Sequence, residues 1–168
     1  MASNDNLSID LFAASRETQP LVFEVGDAFF EGLDQSEILG GDLRVQLRIR
    51  ETGDDFFVAD IEENGCVRVV CDRCLDEVTY DIEIADRVKI YYGEGEPEGE
   101  DIEILPPNTN THDFAWHVYE LAVLALPIQR IHPEGDCNAE MLAQLDEHRA
   151  SRVDEEDDTD NDPTWGDN

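Results

Sequence analysis

Val67-Arg68-Val69-Val70-Cys71-Asp72-Arg73-Cys74-Leu75 is the stretch on which the reading of this chain turns. Two cysteines flank two residues, with strand-like sequence before them (Val67 to Val70) and after them (Val78 to Ile84). A C-x-x-C in a tight turn aims two sulfurs at one point, which is half of a tetrahedral zinc site. The other half has to come from far along the chain. Ile131-His132-Pro133-Glu134-Gly135-Asp136-Cys137 offers a histidine and a cysteine.

Three readings compete for these cysteines. In the first, Cys71, Cys74, His132 and Cys137 bind zinc, two ligands from each of two turns. The gap between the halves far exceeds the ~15–20 residues of a compact zinc ribbon, so folding must carry the later segment back to the first turn. In the second, Cys71 and Cys74 form a redox dithiol. Such pairs usually sit at a helix N-terminus after a strand, where the helix dipole lowers the thiol pKa. Strand-like sequence on both sides of this pair argues against that. In the third, the cysteines are small buried hydrophobes. Cys66 has no paired neighbour and reads as a plain sheet residue.

Upstream of the turn, Leu7 to Phe12 reads as an opening strand and Leu21 to Val25 as a second, with Gln19-Pro20 as the break between them. Asp27 to Leu33 suggests a short helical turn or a buried loop around Phe29 and Phe30. Asp42 to Arg50 is the clearest strand: Leu43, Val45, Leu47 and Ile49 face one way, Arg44, Gln46, Arg48 and Arg50 the other. Thr52 to Asp55 is turn chemistry, and Phe56 to Ile61 returns. Asn64-Gly65 signals a further hairpin before Val67 to Cys71. Val78, Tyr80, Ile82 and Ile84 alternate with polar residues, and Val88, Ile90 and Tyr92 continue after an expected bulge at Ala85-Asp86. Together these segments predict an antiparallel meander.

Downstream, residues 93–100 dissolve into Gly, Glu and Pro, a flexible acidic loop. Asp101 to Leu105 suggests a short edge strand. Thr111 to Leu126 predicts one long helix, capped by Asp113, apolar nearly all round and stopped by Pro127. Asn138 to Arg149 predicts a second, shorter helix. Residues 1–6 read as a flexible start, 7–149 as one α+β domain, and 150–168 as a disordered acidic tail.

Composition narrows the function classes. At 168 residues with 40% hydrophobic content, the chain has room for one core domain and tails. Its net charge of -31 makes it self-repelling and soluble, and the simplest partner for a polyanion is a basic protein. No run reaches the ~18 apolar residues of a membrane span, and the first residues lack the features of a secretory signal. A cytoplasmic location follows as the expectation. Seven of the eleven Lys and Arg lie between residues 44 and 89. Arg44, Arg48, Arg50 and Arg73 are the candidates for contact with RNA or another partner. The competing reading is a solvated sheet face whose arginines pair with the abundant carboxylates, which the overall charge favours. Asp158-Thr159-Asp160-Asn161-Asp162 begins like a calcium loop but has Pro163 where Gly is required. No catalytic motif is present, so neither an enzyme nor a small-molecule substrate is expected.

Cys71-Asp72-Arg73-Cys74-Leu75, then Leu124-Ala125-Leu126-Pro127-Ile128, then His132 to Cys137 stand in the order found in the YceD family of bacterial and plastid proteins, which this chain resembles over roughly residues 10–145. The resemblance implies a non-enzymatic role in the accumulation of large-subunit ribosomal RNA. Its implied partners are large-subunit components, either ribosomal RNA or basic ribosomal proteins. Some relatives carry further cysteines after the helix, like a completed metal site; here a four-ligand zinc site needs His132 beside Cys137. The fold expected is an α+β arrangement: an antiparallel, curled sheet of five or more strands, covered by the 111–126 helix. The alternative function is a zinc-stapled interaction module that binds a basic partner through the acidic loop and tail.

Overall fold

The computed structural model describes residues 7–153. Its frame is a five-stranded sheet of β2 (Leu21–Val25), β3 (Gly40–Thr52), β4 (Phe56–Val70), β5 (Glu77–Tyr91) and β6 (Ile102–Ile104), side by side in that order. β2 to β5 are antiparallel neighbours, whereas β6 runs parallel to β5. Two more short strands, β1 (Ser8–Asp10) and β7 (Thr111–Asp113), pair with each other beside the main sheet. Helices α1 (Leu11–Ala14) and α2 (Asp27–Gly32) pack on β3, and α3 (Ala115–Ala125) packs on β4 and β5. α4 (Ala139–Val153) ends the described chain.

Alternation decides which face the helices cover. Leu43, Val45, Leu47 and Ile49 of β3 are buried, as are Phe57, Ala59, Ile61, Val67 and Val69 of β4. The even-numbered Val78, Ile82, Val88 and Ile90 of β5 join them. Burying this much apolar surface, at roughly 25 cal/mol per Å², is what holds the long strands flat against the helices. The odd-numbered residues of β5 and their neighbours on β3 and β4 face solvent.

Several expectations are corrected. Asn64-Gly65 is not a hairpin: β4 runs straight through it, with Asn64 opposite Arg44 and Gly65 opposite Leu43. The glycine serves a different need. Its φ is 153°, and a Cβ there would collide with the Asp42 carbonyl of the neighbouring strand, so close backbone approach selects Gly. The turns lie at Gly53–Asp55, where Asp54 and Asp55 take positive φ, and at the cysteines. No bulge interrupts β5, whose register with β4 is unbroken from Glu77 to Tyr91. None is needed, because Ile84 and Val88 already share a face and Asp86 merely stands between them.

The helical segments also differ from expectation. Leu7 to Phe12 is not one strand: β1 stops at Asp10, whose side chain accepts a hydrogen bond from Ala13 N at 2.9 Å and starts α1. Thr111 to Asp113 is strand, so the covering helix is 11 residues and shorter than α4, which has 15. Asp113 still accepts from Ala115 N at 2.9 Å. α3 is not buried all round. Val118, Tyr119, Leu121 and Ala122 face the sheet, but Leu124 is 75% exposed. Leu126 is extended, as the residue before Pro127 must be, and that ends the helix. The expected flexible start and the tail beyond Val153 lie outside the described residues.

One buried group opposes the fold. Glu63 is only 2% exposed, on the core face between Val45 and Ile84, and neither carboxylate oxygen has a hydrogen-bond partner. Burial pushes its pKa up to about 8. The folded state therefore holds a proton that the unfolded chain releases near its ordinary carboxylate pKa. Stability from this residue is intact at pH 4 and declines as pH rises to about 8, by on the order of 4–5 kcal/mol. Glu63→Gln removes the penalty. We expect its urea midpoint to match the parent's near pH 4.5 and to exceed it clearly at pH 8.5; equal midpoints at both pH values would show that Glu63 ionises without cost.

Candidate metal centre

The β4–β5 turn and the segment after α3 meet at one end of the sheet. The turn is closed by Cys71 N donating to the Asp76 carbonyl at 2.8 Å and Leu75 N donating to the Cys71 carbonyl at 3.0 Å. Leu75 takes a left-handed φ of 64°, which reverses the chain immediately after Cys74. Asp72 then fastens the distant segment in two directions: its N–H donates to the Arg130 carbonyl at 2.7 Å, and its carboxylate accepts from Arg130 N at 2.8 Å. Tyr80 does the same one residue on, its hydroxyl accepting from Ile131 N and donating to the Ile131 carbonyl, both at 2.9 Å. Asn138 reaches Asp76 at 3.1 Å. These contacts involve no metal, so the halves are registered by the protein itself.

The result is that Cys71, Cys74, His132 and Cys137 point their ligand atoms into one space, all within 4.8 Å of one another. The Sγ atoms of Cys71 and Cys137 are 3.9 Å apart. His132 Nδ1 lies 3.4 Å from Cys74 Sγ and 3.8 Å from Cys137 Sγ. A tetrahedral zinc with Zn–S near 2.3 Å and Zn–N near 2.0 Å sets sulfurs roughly 3.8 Å apart and sulfur to nitrogen roughly 3.5 Å. The Cys71–Cys137, Cys74–His132 and Cys137–His132 edges come close to these lengths, and all four ligand atoms lie within 4.8 Å of one another.

The surroundings prepare each donor. His132 Nε2 lies 2.9 Å from the Glu77 carbonyl, which can only accept, so Nε2 carries the proton and Nδ1 presents its lone pair to the sulfurs. Cys71 is buried, which works against ionisation, but backbone N–H groups of Cys74, Arg73 and His132 outweigh this and draw its thiol down to about 6. Burial, together with the neighbouring Cys71 and Cys74, pushes Cys137 up to about 11. Three thiolates this close repel one another. A divalent cation resolves that conflict, and the donor set fits zinc. With four protein donors no position is left open, which suits a structural rather than a catalytic metal.

The four arginines expected as contacts do not form one site. Arg73 stands exposed on the cysteine turn, whereas Arg48 and Arg50 sit toward the opposite end of the open face. Arg44 lies 3.6 Å from Glu24, and Arg50 is paired with Asp60 at 2.6 Å. Nothing in the sequence singles out Asp72 and Tyr80, which position the segment carrying His132 and Cys137; Tyr80 stands there only as one more inward residue of an alternating strand. The sequence also leaves Arg87 and Lys89 unassigned, although their parity places them on the face of Arg48 and Arg50.

No curated protein and no solved structure matches this chain. The model of one protein family does, described as large ribosomal RNA subunit accumulation protein YceD, over residues 59–167. That span begins inside β4, takes in both halves of the cysteine–histidine cluster and covers well over half the chain. The chain therefore belongs to the YceD family.

Proposed function

We propose that this protein is a non-enzymatic assembly factor that supports the accumulation of large-subunit ribosomal RNA, and that a zinc ion on Cys71, Cys74, His132 and Cys137 keeps its binding surface in shape. The family description carries the ribosomal part of this reading, since it names accumulation of that RNA and no reaction. The convergence of three sulfurs and an imidazole nitrogen supports the zinc part. Zinc in such a site cross-links the β4–β5 turn to the chain between α3 and α4. It adds folding free energy there and fixes the approach of α4. The partners are components of the large subunit, either its RNA or its basic proteins. Among the described residues no helix is long and apolar enough to cross a membrane.

A second reading has its own support. The exposed Glu94, Glu96, Glu98 and Glu100 of the loop after β5, in a chain of net charge -31, suit a zinc-stapled module that holds a basic protein by charge. Capture of a basic partner that weakens with salt, without any change in ribosomal RNA, would favour it over the first.

Elemental analysis of purified protein should find about one zinc per chain, falling to a small fraction in Cys74→Ser. Chelation should lower the unfolding free energy by on the order of several kcal/mol. Stable, metal-free parent protein would refute the zinc assignment. Depleting the protein in cells should lower large-subunit RNA relative to small-subunit RNA, with the parent chain restoring the ratio and Cys74→Ser restoring it poorly. An unchanged ratio on depletion would refute the ribosomal reading.

A further inference from the structure

The open face of the main sheet carries a cluster of cations that the surrounding acid does not neutralise. Two adjacent rows of cross-strand neighbours form it: Arg48, Asp60 and Arg87 in one, Arg50, Val58 and Lys89 in the next. Asp60 is half-buried and serves two guanidinium groups at once, Arg50 Nη2 and Arg87 Nε, each at 2.6 Å. Burial resists its ionisation, but Arg87 and Arg50 outweigh that and hold its pKa below the usual carboxylate range. Among the described residues, Arg48 and Lys89 have no carboxylate within ion-pair distance, and both are exposed.

This arrangement runs against the composition. With 42 Asp and Glu against 11 Lys and Arg, each cation should find several acids to choose from. Here one carboxylate is shared by two arginines and two further cations go unmatched, so four positive charges meet one negative. Glu62 and Asp86 line the groove of about 630 Å³ beside Arg48 and Arg87, yet neither is within ion-pair distance of them. In the row beyond Lys89, Phe56 and Tyr91 stand opposite each other on the same face. Their ring centroids are 5.0 Å apart, and both are partly exposed. Cations in a row that leads to an aromatic pair match what a single nucleic-acid strand offers: phosphates at regular spacing and a base to stack.

We infer that Arg48, Arg50, Arg87 and Lys89 form a phosphate-backbone site for single-stranded RNA, with Phe56 and Tyr91 as the stacking platform at its end. The inference deepens the ribosomal reading and rests on it only for which RNA is bound. Charge complementarity selects the occupant: four cations share the single carboxylate of Asp60, and the acidic flanks of the face confine a polyanion to these two rows. Arg44, which has Glu24 beside it, lies outside them.

The test is fluorescence anisotropy of the purified full-length protein with a labelled single-stranded oligoribonucleotide of about 12 nucleotides. The salt concentration should be low, about 50 mM. The parent should bind, and R48E/K89E should weaken binding at least about tenfold. R48K/K89R, which keeps the charges, should stay within about twofold, as should Arg44→Ala. Both mutated side chains are exposed, so thermal unfolding should be unchanged in all variants. Three results would each overturn the site: no binding by the parent, equal binding by R48E/K89E, or capture of an acidic Asp/Glu peptide at this face in place of the oligonucleotide. None of these touches the ribosomal reading itself, which stands or falls on the RNA levels after depletion.

Discussion

The reciprocal pair of hydrogen bonds between Asp72 and the backbone of Arg130 is the constraint on which the rest depends. β4 and β5 are each 15 residues long, and their register places the cysteine turn at the far end of the sheet. α3 crosses the sheet and is stopped by Pro127, which releases an extended segment toward that same end. Asp72 catches the segment at Arg130, and Tyr80 catches it again at Ile131. Only then do His132 and Cys137 reach Cys71 and Cys74. The meeting of the four side chains follows from strand length and helix length as much as from their own chemistry.

Hydrogen bonds among protein groups set the geometry of the cluster, which a bound zinc would lock. The His132 tautomer is set by the Glu77 carbonyl, and the Cys71 thiol is prepared by three backbone N–H groups. These are main-chain contacts, to which the Cys74 side chain adds a further hydrogen bond at the Cys71 sulfur. The left-handed Leu75 is the local strain that this turn accepts in order to point both sulfurs inward.

The sequence made the sheet legible wherever alternation ran unbroken, as in β3, and it made the four members of the Cys/His cluster legible because a cysteine pair and a histidine near another cysteine are chemically conspicuous. It misled at Asn64-Gly65, where a glycine demanded by close strand contact looks the same as one demanded by a turn. It misled again at Ala85-Asp86, where a polar residue on the core side imitated a bulge. β7 passes for the start of the helix because Thr111-His112-Asp113 is too short to show its period. The buried Glu63 and the Arg48–Lys89 cluster depend on which residues stand opposite one another, which no single strand records.

The charge distribution ties these parts together. A chain this acidic repels nucleic acid over most of its surface. The two cationic rows lie on the sheet face that the helices leave open, toward the end away from the cysteine turn. The two clusters are therefore joined through β4 and β5 yet need not touch, one at the cysteine turn and the other on the open face.

The most direct test of the central claim is the X-ray absorption spectrum at the zinc edge of the purified protein. The structure predicts a first shell of three sulfurs at about 2.3 Å and one nitrogen at about 2.0 Å. A shell of oxygens, or one with only the two sulfurs of the Cys71–Cys74 turn, would contradict the meeting of the two halves.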